Sequence, residues 1–382
     1  MISKPKIFLV VIVALLFAYV RNLMNMTGVF RKVQDFGMEK CEMIEQLRYC
    51  ESLQIERETG LVYLSCEVER DRWNPVMGRL DERVDKQSGS IWVYNLTDST
   101  KTPHQLQLVN FVEEFHPLGM SITKHPHEAD TLLLYVVNLR RASKVVEIFK
   151  TNLQKPSSLE YIRTIQHVLI KNPNELDIDT TREPNSEGLY SFYVSNDHGS
   201  TTNTIMHTLE TLLGFPLSNV VYYNVMRETA KVVANYIQFA NGIALSQSEK
   251  ILFVSSTSAN QIFGYNIENG GDFPKLHFNS TLSIPVDMSV DNIDVDPSTG
   301  EIFAAGHPRA LDFLQFVKDR ESVNSPSKVV RVINPENQSR VETVFSDSGA
   351  KYATSSSAAI DYARGFMVIS GLYENGALVC NV

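Results

Sequence analysis

Oxygen-bearing side chains recur at corresponding places in this sequence: Glu51, the pair Asn196-Asp197, Asn241 and the pair Asp291-Asn292, each within or near a run rich in Val, Ile, Tyr or Phe. Carboxylates and amides are hard donors, and calcium takes six to eight such oxygens in irregular geometry. Asn and Asp at strand ends also act as turn residues that bond their own backbone, so no single position carries the reading. Asp291 and Asn292 tip it, because they sit between Val290 and Ile293, where a simple turn is not expected.

Such a cage needs elements that bring distant segments to one axis. Short runs such as 90–96, 131–138, 189–195, 251–255, 301–305 and 366–370 are rich in β-branched and aromatic residues and are separated by turn clusters, which reads as strands. Residues 240–246, 250–255 and 262–265 read as strand, turn, strand, turn, strand. Residues 290–296 and 300–305 repeat the first two of these, within the ~40–50 residues of a propeller blade. No helical periodicity alternates with the strands, so the class is all-β, a sandwich, barrel or propeller, and not a βαβ sheet. The exception is Thr202–Leu213, where Ile205, Met206, Leu209, Leu212 and Leu213 fall near a 3.6-residue period and predict a helix over one end.

The 382 residues, 43% hydrophobic and 21% charged, suffice for a large core. A net charge of −9 without a basic stripe argues against nucleic acid as a partner. Lys4 and Lys6 precede an apolar run from Ile7 to Val20 closed by Arg21. That run is short of the ~20 residues of a bilayer span and reads as a signal peptide or signal-anchor over residues 1–21, with a connecting segment over 22–40 that could add membrane contact. Sequons at Asn25, Asn95, Asn279 and Asn337 agree with the secretory pathway, placing the protein outside the cell or anchored and facing the lumen. Of the four cysteines, Cys41, Cys50 and Cys66 lie near the start and Cys380 near the end, a spacing that invites a bond between the two ends in an oxidising compartment.

The runs Ser195-Asn-Asp-His198, Phe239-Ala-Asn-Gly-Ile243, Val290-Asp-Asn-Ile-Asp-Val-Asp-Pro297 with Thr299-Gly300, and Gly306-His-Pro308 resemble, in the same order, the signatures of the serum paraoxonase/arylesterase family. The likeness extends over residues 41–382 and includes Leu378-Val-Cys380. It implies a six-bladed β-propeller with capping helices and an N-terminal hydrophobic helix, a Cys41–Cys380 disulfide, and two calcium ions in the central tunnel. The pairing of Cys50 and Cys66 stays open. The resemblance carries the catalytic calcium to Glu51, Asn196, Asn241, Asp291 and Asn292. It carries the second calcium to Asp197, the carbonyl of Met120 and a position where Ser52 replaces the family's Asp, which weakens that site.

In the family, calcium polarises an ester or lactone carbonyl and a pair of histidines activates water. Here both histidine positions are leucine: Leu118 in Pro117-Leu-Gly119, and Leu139 after Val-Val-Asn. His116 and His307 are the substitutes the sequence offers, and His198 is expected to orient the ligands beside it. Two functions follow. One is a calcium-dependent hydrolase of small carboxylic esters or lactones. The other is a calcium-stabilised propeller that binds a lipid or protein partner.

Overall fold

The computed structural model describes residues 4–98, 100–200 and 204–382. Six antiparallel sheets follow one another along the chain as blades around an axis. Their innermost strands are Cys50–Glu56, Pro117–Lys124, Pro173–Asp179, Ala240–Leu245, Ser289–Val295 and Ser355–Asp361. From each the chain steps outward through a second, third and fourth strand; the second blade gains Gln107–Val109 as a parallel edge strand. The second strands, such as Thr131–Leu139 and Ile251–Ser256, are almost wholly buried, which is why they read as continuous apolar runs. The core lies between neighbouring blades, where for example Leu133, Tyr135 and Val137 meet Leu176, Phe192 and Val194.

The ring closes with both ends of the chain. Cys41–Ile44 pairs antiparallel with Ala377–Asn381 as the outer strand of the sixth blade, Cys41 opposite Cys380, and the two are bonded. In the chain-entropy model, a loop of this length gives the bond a stabilising ceiling of roughly 5 kcal/mol. Cys50 and Cys66 are also bonded, joining the first two strands of the first blade beside Glu51.

Among the described residues, three α-helices stand at one end. Helix α1, Lys4–Thr27, runs on past Arg21, so the described part of the expected leader and the start of the connecting segment form one helix, with Val11, Ile12, Val13, Leu16 and Phe17 exposed along it. Among the described residues, no helix is long and apolar enough to cross a membrane. Helix α2, Thr204–Leu213, occupies the predicted helical stretch, whose first two residues lie outside the described ones. Helix α3, Ala310–Lys318, follows Gly306-His-Pro308.

Candidate functional site

All six innermost strands share one irregularity near their start. Each advances one residue more than its partner: residues 50–52 against 65–66, 117–120 against 136–138, 173–176 against 194–196, 240–243 against 254–256, 290–293 against 304–306, and 355–357 against 370–371. Such bulges leave a residue out of the ladder and re-aim its side chain. The residues within them are Glu51, Leu118-Gly119, Asn174-Glu175, Asn241-Gly242, Asp291-Asn292 and Ser356. Glycine is required where the strands crowd: a Cβ on Gly119 would lie 2.2 Å from the Asn174 carbonyl, and one on Gly242 2.6 Å from the Asn292 Cα.

Glu51, Asn174, Asn241 and Asp291 line a cavity of about 830 Å³, open mouth included, whose upper wall is apolar: Leu118, Val76, Met77, Phe313, Leu314 and Leu372. Met26 and Thr27 of α1, Thr211 of α2 and Leu311 of α3 ring it. Glu51 Oε2, Asn174 Oδ1, Asn241 Oδ1 and Asn292 Oδ1 are all buried without a hydrogen-bond partner. A buried, unpaired oxygen costs about 1–3 kcal/mol, which a cation shared by the four would offset. Asn292 Nδ2 donates to Glu51 Oε1 at 2.8 Å, which ties the first and fifth blades together. Burial, reinforced by Asp291 and opposed by Arg70 and Asn292, pushes the Glu51 carboxyl up to about 8. This donor set of two carboxylates and three amides suits calcium. Among the described residues, no three His, Cys, Asp or Glu side chains cluster as a metal site, so the amides are essential to any such cage.

Serine hydroxyls anchor the bulges from the blade before: Ser195 to the Asn241 carbonyl at 2.7 Å, Ser255 to that of Asp291 at 2.6 Å, Ser356 to that of Glu51 at 2.7 Å, and Ser65 to that of Leu118. Sequence reasoning passed over these serines. Their signal is a Ser that follows the apolar run of a second strand, as in Leu64-Ser65, Val194-Ser195 and Val254-Ser255.

Asn196, Asp197, Met120, Ser52 and His116 are not among the residues that line the cavity. Asn196 is on the second strand of the third blade, and its amide is fully engaged there: Oδ1 accepts from the Lys171 and Asn172 amides, and Nδ2 donates to the Leu169 carbonyl and to Asn219. Asn174, on the innermost strand, holds the place at the cavity. Asp197 accepts from His198 Nδ1 at 2.8 Å and from Asn174 Nδ2 at 3.4 Å, one step behind the wall. Met120 is fully buried among the first and second blades. Ser52 donates to Glu175 at 2.8 Å, and Glu175 also accepts from the backbone of Leu176 and Met120. Ser52 and the Met120 backbone therefore meet at Glu175, a buried glutamate beside Ser52, while Asp197 is engaged by His198 and Asn174. His116 is behind the first blade, its Nδ1 2.8 Å from Glu67 and its ring against Trp73, off the cavity wall. His307 is on the wall: Nε2 is 3.4 Å from Asp291 Oδ2, Nδ1 has no partner, and the ring stacks on Phe313 at 3.9 Å. Of the sequon residues, Asn25 and Asn337 are exposed, while Asn95 and Asn279 are half-buried and accept from Thr97 and Thr281.

The family model described as Arylesterase matches residues 80–382. Serum paraoxonase/lactonase 3 of Homo sapiens is 28% identical over 357 residues, 92% of this chain and 91% of that protein. Serum paraoxonase/arylesterase 1 of Mus musculus is 28% identical over 363 residues, 92% of each. Among solved structures, a gluconolactonase from Xanthomonas campestris superposes with a TM-score of 0.52 at 11% identity, over 92% of this chain and 93% of that one, a likeness of fold.

Proposed function

The chain belongs to the arylesterase family, and on that footing we propose that it hydrolyses small carboxylic esters or lactones in a calcium-dependent reaction within this cavity. The observation that carries the reading is the set of four unpaired oxygens on Glu51, Asn174, Asn241 and Asn292 beneath an apolar wall. Those residues and Asp291 would hold the ion, which when bound supplies a Lewis acid for a carbonyl and a counter-charge for its developing oxyanion. Leu118, Phe313 and Leu314 receive the acyl or aryl part of the substrate and exclude water. His307 steadies Asp291 through Nε2, and its bare Nδ1 is one proton acceptor on the wall. The names of the relatives, lactonase and arylesterase, agree with this substrate class. The two disulfides and the sequons fit passage through the secretory pathway.

The test is turnover of phenyl acetate and a δ-lactone by the purified protein, with calcium and with chelator, beside Asn241→Ala. Calcium-dependent turnover that Asn241→Ala abolishes at an unchanged fold is the expected result. No turnover, together with a melting temperature that rises with calcium, would move the protein to the other reading. Leu118 and Leu139 favour that reading: the cage would then serve stability, and the mouth would bind a lipid or protein.

A further inference from the structure

We propose that Thr211, His198 and Asp197 form a nucleophile, base and orienting group in the cavity wall, with Thr211 Oγ attacking the carbonyl of an ester or lactone; the inference rests on the hydrolase reading above. Asp197 Oδ1 is 2.8 Å from His198 Nδ1, and His198 Nε2 is 2.8 Å from Thr211 Oγ. A nucleophile within hydrogen-bond reach of a base, itself held by a third group, is the arrangement that activates a hydroxyl. His198 and Asp197 are 1% and 3% exposed, and of the three only Thr211 lines the cavity, so the imidazole reaches a substrate through that hydroxyl alone.

The imidazole is fixed by its surroundings. His207 stacks on it at 3.8 Å and Phe239 tilts against it at 4.6 Å. Helix α2 is held in register with His198: Glu210 accepts from the Gly199 and Ser200 amides at 2.8 and 3.0 Å, and Gln238 donates to the Gly214 carbonyl at 2.8 Å. Thr211 Oγ also lies 3.0 Å from the His207 carbonyl, the usual back-bond of a helical threonine. It has one proton and two acceptors in reach. With the Nδ1 proton turned to Asp197, Nε2 is left bare to take the hydroxyl proton. The second oxygen of Asp197 meets Asn174 Nδ2, so one carboxylate orients both the base and an oxygen of the cage. Leu118 and Leu139 leave the family's histidine positions without an imidazole, and this group supplies one.

The reaction balances as hydrolysis. The Thr211 Oγ–H proton passes to His198 Nε2 as the Oγ–carbon bond forms. The bond from that carbon to the leaving oxygen then breaks, and the oxygen takes the proton from Nε2. Water attacks the Thr211 ester, gives a proton to Nε2, and Oγ leaves and recovers it.

The experiment uses the full-length, calcium-loaded protein with excess p-nitrophenyl acetate, quenched in acid during turnover and mapped by peptide mass. An acetyl group on the Thr211 peptide is expected in wild type, on the serine of Thr211→Ser, and not in Thr211→Val. Loss of a triad nucleophile corresponds to roughly a 10⁶-fold fall in kcat, expected for Thr211→Val at unchanged melting temperature and calcium binding, with Thr211→Ser retaining turnover. Thr211→Val turning over near the wild-type rate overturns the proposal, the more so if His307→Gln is inactive. p-Nitrophenol release with no acetylated Thr211 peptide overturns it too and leaves the hydrolase reading standing. Neither release nor adduct overturns both.

Discussion

The innermost strands have two ends, and their acids behave differently. At the far ends, Asp177 accepts from Ser121, from its neighbour Ile178 and from the Leu245 amide, while Asp294 receives Arg57 at 2.6 Å. Both are half-buried at a second, polar cavity, and neither has a buried oxygen left without a partner. At the near ends, the bulges leave Glu51, Asn174, Asn241 and Asn292 each with one. The ladder runs regularly past Asp177 and Asp294, so side chain and backbone settle their hydrogen bonds locally. An acid on an innermost strand alone therefore marks nothing. The unspent oxygen does, and the bulge produces it.

The comparison breaks most easily by exchanging the two ends. Glu51→Ala is expected to abolish calcium-dependent ester turnover, whereas Asp177→Asn leaves it intact; loss in both would show that the far end is also needed. Arg70 tests why the near end tolerates its acids. This guanidinium is buried, donates to the Tyr49 and Pro117 carbonyls, and is the cation opposing Glu51 and Glu67. Leaving buried charges without a partner costs about 3–5 kcal/mol, so Arg70→Met should fall by that much in denaturant unfolding, far more than Arg57→Met.

The pH dependence sharpens the contrast. Burial raises Glu51 to about 8 from an ordinary 4.5 and raises Glu175 as well. Groups raised on folding contribute stability that is complete below their unfolded pKa and is lost as pH climbs through the folded one. The chelated protein should therefore melt lower at pH 8 than at pH 5.5. The rise in melting temperature on adding calcium, which needs Glu51 ionised, should widen over the same interval. A calcium increment that is flat with pH would contradict the assignment of Glu51. The smallest effect is expected at the serines: Ser255→Ala removes one hydrogen bond, about 1 kcal/mol, from the Asp291 bulge, and should weaken calcium binding severalfold without unfolding the chain.

Much of the ring was legible because second strands, buried on both faces, read as apolar runs. The innermost strands are the difficult ones. Pro173–Asp179 carries Pro, Asn, Glu and two Asp in seven residues and lacks an apolar run, whereas the likeness of Ser195-Asn-Asp-His198 to the family signature points to Asn196, on the second strand of the third blade. In the fifth blade the bulge lies inside Ser289–Val295, between apolar neighbours, and Asp291-Asn292 stood out. Glu175 beside Ser52 joins residues 123 positions apart, and His198, at the end of a strand, meets Thr211, on helix α2, 13 positions later. Neither has a local pattern. The Cys41–Cys380 pairing, by contrast, follows from likeness to a family whose ring closes in this way, and it is present.

The most direct test of the central claim, that the bulges build a calcium cage, is calorimetric titration of calcium into wild type and Asn174→Ala. A single calcium per chain is expected in wild type, and for Asn174→Ala a loss of affinity beyond the 10–100-fold typical of outer partners, with the melting temperature of the chelated protein unchanged. Wild-type affinity in Asn174→Ala, or two ions bound with equal strength, would contradict it.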